Sequence, residues 1–271
     1  MSSENTFAGA MDAACDAARA AGRILRDRLG KVAAKEKAPA DLVTEADTAA
    51  QAAIADIVRS RFPRYAFLGE ESPPQQREEA AASGAPLWIV DPLDGTANYV
   101  HRLGGFSVSI ALCVEGQPRL GVVFDPLANV MYKAQVGGRA TKNGRPLSVS
   151  GCSQLRSAMV CCSFRPGVRR SDPEVDQFLN ILESAQTIRR LGSAALNLCY
   201  LAEGCLDAYW ATSVKVWDVA AGYLIAHLAG AHITNPEGEP FDLWHPRLLA
   251  TASNELHEEL LCCLHTTEKL R

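Results

Sequence analysis

The spacing of the hydrophobic residues changes along the chain, and this change limits the folds that are open to it. In the first third, apolar side chains recur every three or four residues, which predicts a helix that ends at Gly30 and a second helix from Glu45 to about Arg61. From Phe106 to Val114, apolar side chains alternate with a period of two, which predicts a strand. The chain therefore begins with helices and continues into a sheet that they can cover.

Short apolar runs separated by turn residues predict further strands after the second helix. The run 87–90 (Leu-Trp-Ile-Val) indicates a buried strand, and Asn143-Gly144 is typical of a β-hairpin. After Ser150 strands and helices alternate, and Gly230 ends the last of these helices. The pattern predicts an α+β protein built of stacked layers of helix and sheet. The other predicted elements are a loop at 35–39, strands at 120–124 and 131–136, and helices at 173–184, 193–203 and 218–228.

Composition and charge argue against several classes of protein. The formal net charge is −4 and no Lys/Arg block stands out, so we expect no nucleic-acid partner. No apolar run is long enough to span a bilayer, and the segment 1–5 lacks the features of a secretory signal. The nine cysteines never form a C-x-x-C pair. They predict buried, inert thiols in a cytoplasmic protein rather than a zinc site or a disulfide framework.

The segment 88–98 (Trp-Ile-Val-Asp-Pro-Leu-Asp-Gly-Thr-Ala-Asn) carries the densest chemical signal. The apolar run places Asp91 at a strand end, where Pro92 discourages continuation of the ladder, and Asp94 with the glycine after it forces a tight turn. Thr96 then begins a helix whose free N–H groups can bind an anion. Two carboxylates that face one small space need a positive partner, and oxygen ligands favour Mg²⁺. A strand followed by an Asp-Gly turn, without any site, is the other interpretation.

Three more acidic segments each have an ordinary structural explanation beside a functional one. Glu70 and Glu71 follow a short apolar stretch, as they would in an exposed turn. Asp47 follows Thr44 at the spacing of a helix-capping pair, and Asp218 is suited to the N-cap of an apolar helix. Each signal is weak alone, but together with the preceding segment the set indicates several carboxylates around one site.

In these segments the chain resembles the inositol monophosphatase family of metal-dependent, lithium-sensitive phosphatases. The matches follow the order of the family and extend from about Met11 to Leu261. The resemblance implies an α+β fold of alternating α-β-α-β-α layers, a single domain over 1–271 with approximate lobes at 1–146 and 147–271, and a homodimer. The matching segments are 41–47 (DLVTEAD), 69–72 (GEES), 88–98 (WIVDPLDGTAN), 192–197 (GSAALN), 216–222 (VWDVAAG) and 240–243 (PFDL).

The resemblance also implies a site for two to three Mg²⁺ ions. Glu70, Asp91 and the main-chain carbonyl of Leu93 would hold the first ion. Asp91, Asp94 and Asp218 would hold the second, and Glu70 would help to place a third through water. The acidic residues of these separate segments would then all belong to one site.

Catalytic and substrate-binding roles follow from the same resemblance. Asp47 and Thr96 would orient and deprotonate the attacking water as a unit, with Glu70 as a catalytic metal ligand, and the division of labour within the unit stays open. The phosphate would rest against the metal ions and the N–H groups of Gly95 and Thr96, and Asp94 would also reach a substrate hydroxyl. The substrate ring would lie near three residues of one turn, Gly192, Ser193 and Ala194.

One position departs from the pattern of inositol-specific members. They carry a glutamate seven residues before the aspartate of the Trp-Asp pair, where this chain has Ala211, which cannot accept a hydrogen bond. Thr212, Ser213 or an arginine at 165, 169 or 170 could replace it. Hydrolysis of inositol 1-phosphate is the activity that the resemblance favours. The alternatives are fructose-1,6-bisphosphatase, histidinol-phosphatase or 3′-phosphoadenosine-5′-phosphate phosphatase activity, and, more remotely, a non-catalytic metabolite-binding relative.

Overall fold

Two alanine-rich helices form the first layer of the computed structural model, which describes residues 7–38, 41–165 and 167–266. They are α1 (Ala10–Arg28) and α2 (Glu45–Arg61), and α2 has the predicted bounds. Buried alanines on both helices let them pack closely against each other and against the sheet below them.

The prediction of a loop at 35–39 is wrong for 35–38, the part of it that the structure describes. There, β1 (Ala34–Ala38) pairs antiparallel with β2 (Asp41–Thr44). The sequence Lys-Glu-Lys has no apolar period, so local patterns gave no sign of a strand, and it is the pairing with β2 that makes one. Pro39 lies outside the described residues.

A seven-stranded sheet forms the second layer, and its strands lie side by side in the order of the chain. They are β3 (Ala66–Gly69), β4 (Leu87–Asp94), β5 (Ser107–Val114), β6 (Gln117–Asp125), β7 (Val130–Gln135), β8 (Thr141–Lys142) and β9 (Arg145–Pro146). Within this sheet β3 and β4 run parallel, and the other neighbours are antiparallel, so the predicted antiparallel arrangement is confirmed for all pairs but the first. The predicted hairpin is confirmed, because Asn143 and Gly144 have φ angles of 48° and 82°, as a type I′ turn requires.

The strand that carries the two aspartates continues past its predicted end. All eight residues of β4 are buried, and β4 pairs with β5 on both sides of Pro92. The register shifts between Asp91, opposite Ser109, and Asp94, opposite Ser107, because proline has no N–H to give to the ladder. Asp91 and Asp94 therefore belong to one buried strand with an irregularity between them.

Two apolar helices form the central layer, α6 (Ala194–Ala202) and α7 (Val216–Leu228), and Gly230 follows α7 with a φ of 99°, as its predicted stop. α7 lies on the face of the seven-stranded sheet opposite α1. A Cβ on Gly121 of β6 would lie 2.7 Å from the carbonyl oxygen of Ala221. The glycine therefore lets the helix backbone approach the strand directly.

A five-stranded sheet and two outer helices complete the layers. In spatial order the strands are β11 (Thr187–Arg189), β10 (Met159–Ser163), β12 (Ala208–Ala211), β14 (Leu248–Thr251) and β13 (His232–Thr234), and the helices are α5 (Pro173–Ser184) and α8 (Asn254–His265). β11, β10 and β12 are parallel to one another, whereas β14 and β13 are antiparallel to their neighbours. α5 has its predicted bounds.

Three hydrophobic cores fill the spaces between the five layers, because one of them lies on both sides of the central helices. The α-β-α-β-α fold class is therefore confirmed. Two short helices, α3 (Pro74–Ala82) and α4 (Thr96–Val100), follow β3 and β4. The first sheet ends at Pro146 and the second begins at Met159, while a single domain with lobes that divide at 146 stays a prediction. Across the described ranges, no helix combines the length and the apolarity needed to cross a bilayer.

All nine cysteines are free thiols, but they are not all buried as predicted. Burial raises the pKa of Cys113 and Cys162 to about 12, so these thiols are inert at neutral pH. Cys205 and Cys262 are exposed. One lies in the turn after α6 and the other on α8, where the apolar pattern did not reveal which face points outward.

We expect His257 to make the protein less stable as the pH falls. Its ring is buried, its nitrogens hydrogen-bond to the hydroxyls of Thr234 (2.8 Å) and Thr251 (3.1 Å), and burial, followed by the charge of His232, lowers its pKa to about 4. Between about pH 6.5 and about pH 4 the unfolded chain binds a proton that the folded chain does not, so acid favours unfolding, by on the order of 2 kcal/mol. Urea unfolding as a function of pH measures this slope.

The matched control uses a second histidine. His257→Gln should have a shallower pH dependence of stability over that window, whereas His101→Gln, a change at an exposed histidine, should keep the slope of the wild type. An unchanged slope in His257→Gln would show that other groups cause the acid sensitivity.

Candidate active site

Four carboxylates come together where β3 and β4 end. Asp91 and Asp94 lie on β4, Glu70 follows β3, and Asp218 lies in the first turn of α7. The main-chain N–H of Glu70 donates to the carbonyl of Val90 (3.0 Å), which ties Glu70 to the residue before Asp91. The structure thus brings together all four carboxylates that the sequence predicted as metal ligands.

Burial and mutual repulsion both act on the pKa values of this cluster. Burial raises the pKa of Asp91 well above its usual range, and the charges of Glu70, Asp94 and Asp218 raise it further. Burial, followed by the charge of Asp94, raises the pKa of Asp218 in the same way. Burial raises the pKa of Asp94 to about 6, against several hydrogen-bond donors that lower it. The protein alone therefore disfavours full ionisation of the cluster.

Asp94 is held by the first turn of α6. Its Oδ1 accepts a hydrogen bond from the N–H of Ala194 (3.0 Å), and its Oδ2 accepts from the N–H of Ala195 (2.8 Å) and from the hydroxyls of Ser193 and Ser107. A helix N-terminus favours a negative charge at this position. The turn 192–194, predicted to lie near the substrate ring, therefore contacts Asp94, which was predicted to bind both a metal ion and a substrate hydroxyl.

Asn98 ties that turn to the end of the aspartate segment. Its Nδ2 donates to the carbonyls of Gly105 and Leu191, both at 2.7 Å. Gly192 has a φ of +90°, and a Cβ there would lie 2.8 Å from the Nδ2 of Asn98, so the turn requires glycine. Sequence reasoning gave Asn98 and Ser107 no role, because their partners lie on other elements, although Asn98 ends the segment that it singled out.

Asp47 both caps a helix and faces the site, the two roles that the sequence left open for it. Its Oδ2 accepts from the N–H (2.9 Å) and the hydroxyl (2.6 Å) of Thr44, which caps α2. Its Oδ1 accepts a long hydrogen bond of 3.5 Å from the hydroxyl of Thr96, which also donates to the carbonyl of Leu93 at 3.0 Å. Burial raises the pKa of Asp47, although the Thr44 hydrogen bonds lower it. The predicted pair of Asp47 and Thr96 is thus together in the structure.

The predicted phosphate position also lies beside the cluster. α4 begins at Thr96 as predicted, after Gly95 in the left-handed conformation with a φ of 94°. A Cβ on Gly95 would lie 3.0 Å from the carbonyl oxygen of Gly105, which gives a second reason for glycine at the turn. Because the first N–H groups of a helix have no acceptor within it, the start of α4 offers donors next to Asp94.

Asp218 does not occupy the N-cap position that its sequence context suggested. α7 begins at Val216, Lys215 is the N-cap residue, and the Oδ2 of Asp218 accepts from the N–H of Lys215 (2.8 Å). The carboxylate reaches back from the third helical position and satisfies an N–H that the helix leaves free. The hydroxyl of Ser109 donates to the carbonyl of Trp217 (3.2 Å), so β5 fixes the adjoining residue.

The position of the missing glutamate lies in the interior. Ala211 ends β12 and is fully buried in the core between the two sheets. The hydroxyl of the next residue, Thr212, donates to Glu174 at the start of α5 (3.3 Å), and Arg165 forms an ion pair with Asp172. An acidic side chain thus lies beside this strand end, although position 211 itself is alanine.

The chemistry of the donor set fits a hard divalent cation. Among the residues that the structure describes, no three Asp, Glu, His or Cys side chains already form a metal-binding group. The charges of Glu70 and Asp94 nevertheless lie close enough to Asp91 and Asp218 to raise the pKa of both. Carboxylate and carbonyl oxygens are the ligands that Mg²⁺ prefers, and a cation relieves the repulsion that the protein leaves unbalanced.

The comparison with known families agrees with the geometry of the site. The model of the inositol monophosphatase family matches residues 10–269 of the chain. The chain belongs to the inositol monophosphatase family. It is a phosphatase that hydrolyses phosphate monoesters, which confirms the prediction of an enzyme, and this family uses divalent metal ions.

Individual relatives cover most of the chain. Inositol monophosphatase 2 of Solanum lycopersicum is 38% identical over 270 residues, 95% of this chain and 98% of the relative. The Nus factor SuhB of Pseudomonas aeruginosa is 38% identical over 236 residues, 84% of this chain and 86% of the relative. The crystal structure of extragenic suppressor protein suhB from Bartonella henselae has a TM-score of 0.88 at 31% identity and covers 96% of this chain and 99% of that one. This member of the inositol monophosphatase family therefore shares its fold along nearly its whole length.

We expect Asp91→Asn to stabilise the metal-free protein and to weaken its response to a divalent cation. Without metal, the buried carboxyl of Asp91 must either ionise against the charges of its neighbours or take up a proton, and both cost stability. Asparagine removes this cost, so unfolding without metal should occur several degrees higher, equivalent to about 1 kcal/mol or more. Addition of MgCl₂ should raise the melting temperature of the wild type clearly and that of the variant little. Thermal unfolding at neutral pH, with and without MgCl₂, measures both effects.

Asp125→Asn is the matched control for a buried aspartate outside the cluster. Asp125 accepts from the N–H groups of Leu127 and Ala128, both at 2.9 Å, at the end of β6. Its loss should not stabilise the metal-free protein and should leave the response to MgCl₂ unchanged. A gain in stability in both variants, or in neither, would contradict the proposed repulsion.

Proposed function

We propose that the chain is a Mg²⁺-dependent phosphatase that acts on a small cyclitol or sugar monophosphate, with inositol 1-phosphate as the first candidate. The observation that carries the proposal is the cluster of four carboxylates beside the turn at Gly95 and Thr96. A negatively charged site can bind a phosphate ester when cations lie between them, and oxygen ligands suit Mg²⁺. The name of the tomato relative supports inositol monophosphate as the substrate.

Five protein groups would hold two or three Mg²⁺ ions. Glu70, Asp91 and the carbonyl of Leu93 would hold the first, and Asp91, Asp94 and Asp218 the second, while Glu70 would help to place a third. When bound, the ions lower the pKa of water, act as Lewis acids and orient the displacement. The hydrogen bonds from the start of α6 keep Asp94 fixed in this set.

Asp47 and Thr96 act on the attacking water as a unit. Thr44 occupies the Oδ2 of Asp47, so the Oδ1 is the oxygen that faces Thr96. The hydroxyl of Thr96 has two acceptors within reach, this Oδ1 and the carbonyl of Leu93, and it orients the water while the unit takes its proton. The N–H groups of Gly95 and Thr96 bind the phosphate.

The alcohol end of the substrate lies at the turn 192–194. Asp94 binds a substrate hydroxyl there, beside Ser193 and Ala194. Ala211 offers no acceptor, so selection of inositol cannot depend on that position, and an alcohol of another shape stays a candidate. The homodimer and the cytoplasmic location, both taken from the resemblance and the composition, remain proposals.

Phosphate release by the purified protein in MgCl₂ tests the proposal. The panel comprises inositol 1-phosphate, fructose 1,6-bisphosphate, histidinol phosphate, adenosine 3′,5′-bisphosphate and glycerol 2-phosphate, and Asp94→Asn serves as the inactive control. We expect turnover that depends on MgCl₂, with inositol 1-phosphate preferred. Preference for another compound would reject the inositol assignment alone. Release no greater than that of Asp94→Asn on every compound would reject the phosphatase assignment for these substrates.

We expect Asp47→Asn to lower kcat by about 10²–10⁴-fold, because an amide cannot accept the proton of the attacking water. The asparagine oxygen can still accept the N–H of Thr44, so the melting temperature should change little. Steady-state kinetics at saturating MgCl₂ measures kcat. Thr44→Ser, which keeps both hydrogen bonds to Asp47, is the matched control and should stay near wild type. A kcat for Asp47→Asn within tenfold of wild type would remove Asp47 from the reaction.

A further inference from the structure

We propose that Gln51 of α2 is a positioning residue for the cation site. Its side-chain amide holds the turn 69–72, so that Glu70 stays beside Asp91 and Asp218. The inference rests on the cation site of the proposed function and deepens it. Gln51 has no place in the acidic segments that predicted the site, and its role follows from contacts between α2 and the end of β3.

Two hydrogen bonds join Gln51 to the residues that follow Glu70. The Oε1 of Gln51 accepts from the main-chain N–H of Glu71 at 2.9 Å, and its Nε2 donates to the hydroxyl of Ser72 at 3.4 Å. The turn has one bond of its own, from the N–H of Ser72 to the carbonyl of Gly69 (3.1 Å). Ser72 is buried, so the amide joins the turn to α2 in a place that water does not freely enter.

The same amide of Gln51 also packs closely against Gly69. A Cβ on Gly69 would lie 2.2 Å from the Oε1 of Gln51 and 2.5 Å from its Cδ, although this glycine does not have a positive φ. A side chain at position 69 would displace the amide of Gln51, because that amide fills the space next to Gly69. The glycine and the glutamine therefore act as one contact, and a change in either disturbs the other.

One face of α2 serves both sides of the site. Gln51 lies four residues after Asp47, so the two side chains lie on the same face, one helical turn apart. Asp47 reaches Thr96 at the start of α4, whereas Gln51 reaches the turn that carries Glu70. Since a helix is rigid over one turn, α2 sets the separation of these two parts of the site.

Hydrogen bonds hold the main chain at Glu70 and at the two residues after it. Its N–H donates to the carbonyl of Val90 (3.0 Å), which fixes the start of the turn, and Gln51 fixes the next two residues. Without Gln51 the turn loses the two hydrogen bonds that tie it to α2. Glu70 should then sample more positions, and the first ion should lose affinity, because a ligand that must be ordered on binding contributes less.

The test is titration calorimetry of the metal-free full-length protein with MgCl₂. We expect Gln51→Ala to raise the Kd for Mg²⁺ by about tenfold, the lower end of the usual effect of residues that support metal ligands. kcat at saturating MgCl₂ should stay within about twofold of wild type, because the residues that act on water are unchanged. Gly69→Ala, which displaces the amide of Gln51, should raise the Kd in the same direction.

Gln177→Ala is the matched control, because Gln177 makes a similar tie between α5 and α8, with its Nε2 donating to the carbonyl of Leu264 at 3.1 Å. It should bind Mg²⁺ as the wild type does. An unchanged Kd in Gln51→Ala, or an equal rise in Gln177→Ala, would overturn the proposed role of Gln51. If the wild type itself binds no Mg²⁺, the cation site of the proposed function fails, and the role of Gln51 fails with it.

Discussion

Repulsion between buried carboxylates is the constraint on which the rest of this structure depends. Asp91 and Asp94 are buried, and the charges of Glu70, Asp94 and Asp218 raise the pKa of Asp91, which costs stability that other forces must offset. Those forces come from the hydrophobic cores on both faces of β4 and from α7, whose backbone lies directly on Gly121. A strand that is packed on both faces therefore carries the least favourable charges, as a preorganised site requires.

Asp94 is also the point at which the two sheets are joined. It belongs to β4 of the seven-stranded sheet, yet three of its four donors lie at the start of α6, which packs against the five-stranded sheet. Asn98 makes a second connection, since it reaches the carbonyl of Leu191 just before the Gly192 turn. A shift of one sheet relative to the other would separate the groups that bind the substrate from those that bind the cation. The same few hydrogen bonds therefore hold the site together and connect two of the layers.

Local patterns in the sequence predicted the bounds of α2 and α5, the antiparallel sheet and the acidic residues themselves, because periodicity and turn chemistry act over a few residues. What could not be predicted involves partners far apart in the chain. The charged strand β1 exists through its pairing with β2, and Asn98 contacts a carbonyl 93 residues away. Gln51 gave no sequence signal at all, because a glutamine in a polar helix face is ordinary until its neighbour is known. The N-cap position suggested for Asp218 is wrong by three residues, because Asp218 is the third residue of α7. A carboxylate at that position can cap the helix as well as one that precedes it.

The double role of Asp47 has an evolutionary consequence. One oxygen caps α2 through Thr44, and the other faces Thr96, so a single side chain supports both the helix and the site. A descendant that no longer needed the reaction would still lose stability if it lost the hydrogen-bond acceptor at position 47, which asparagine also provides. It would therefore tend to keep aspartate or asparagine there, while residues whose burial adds repulsion, such as Asp91, were free to drift toward neutral side chains. The loss of the clustered carboxylates, or an asparagine at position 47, would mark an inactive copy of this protein.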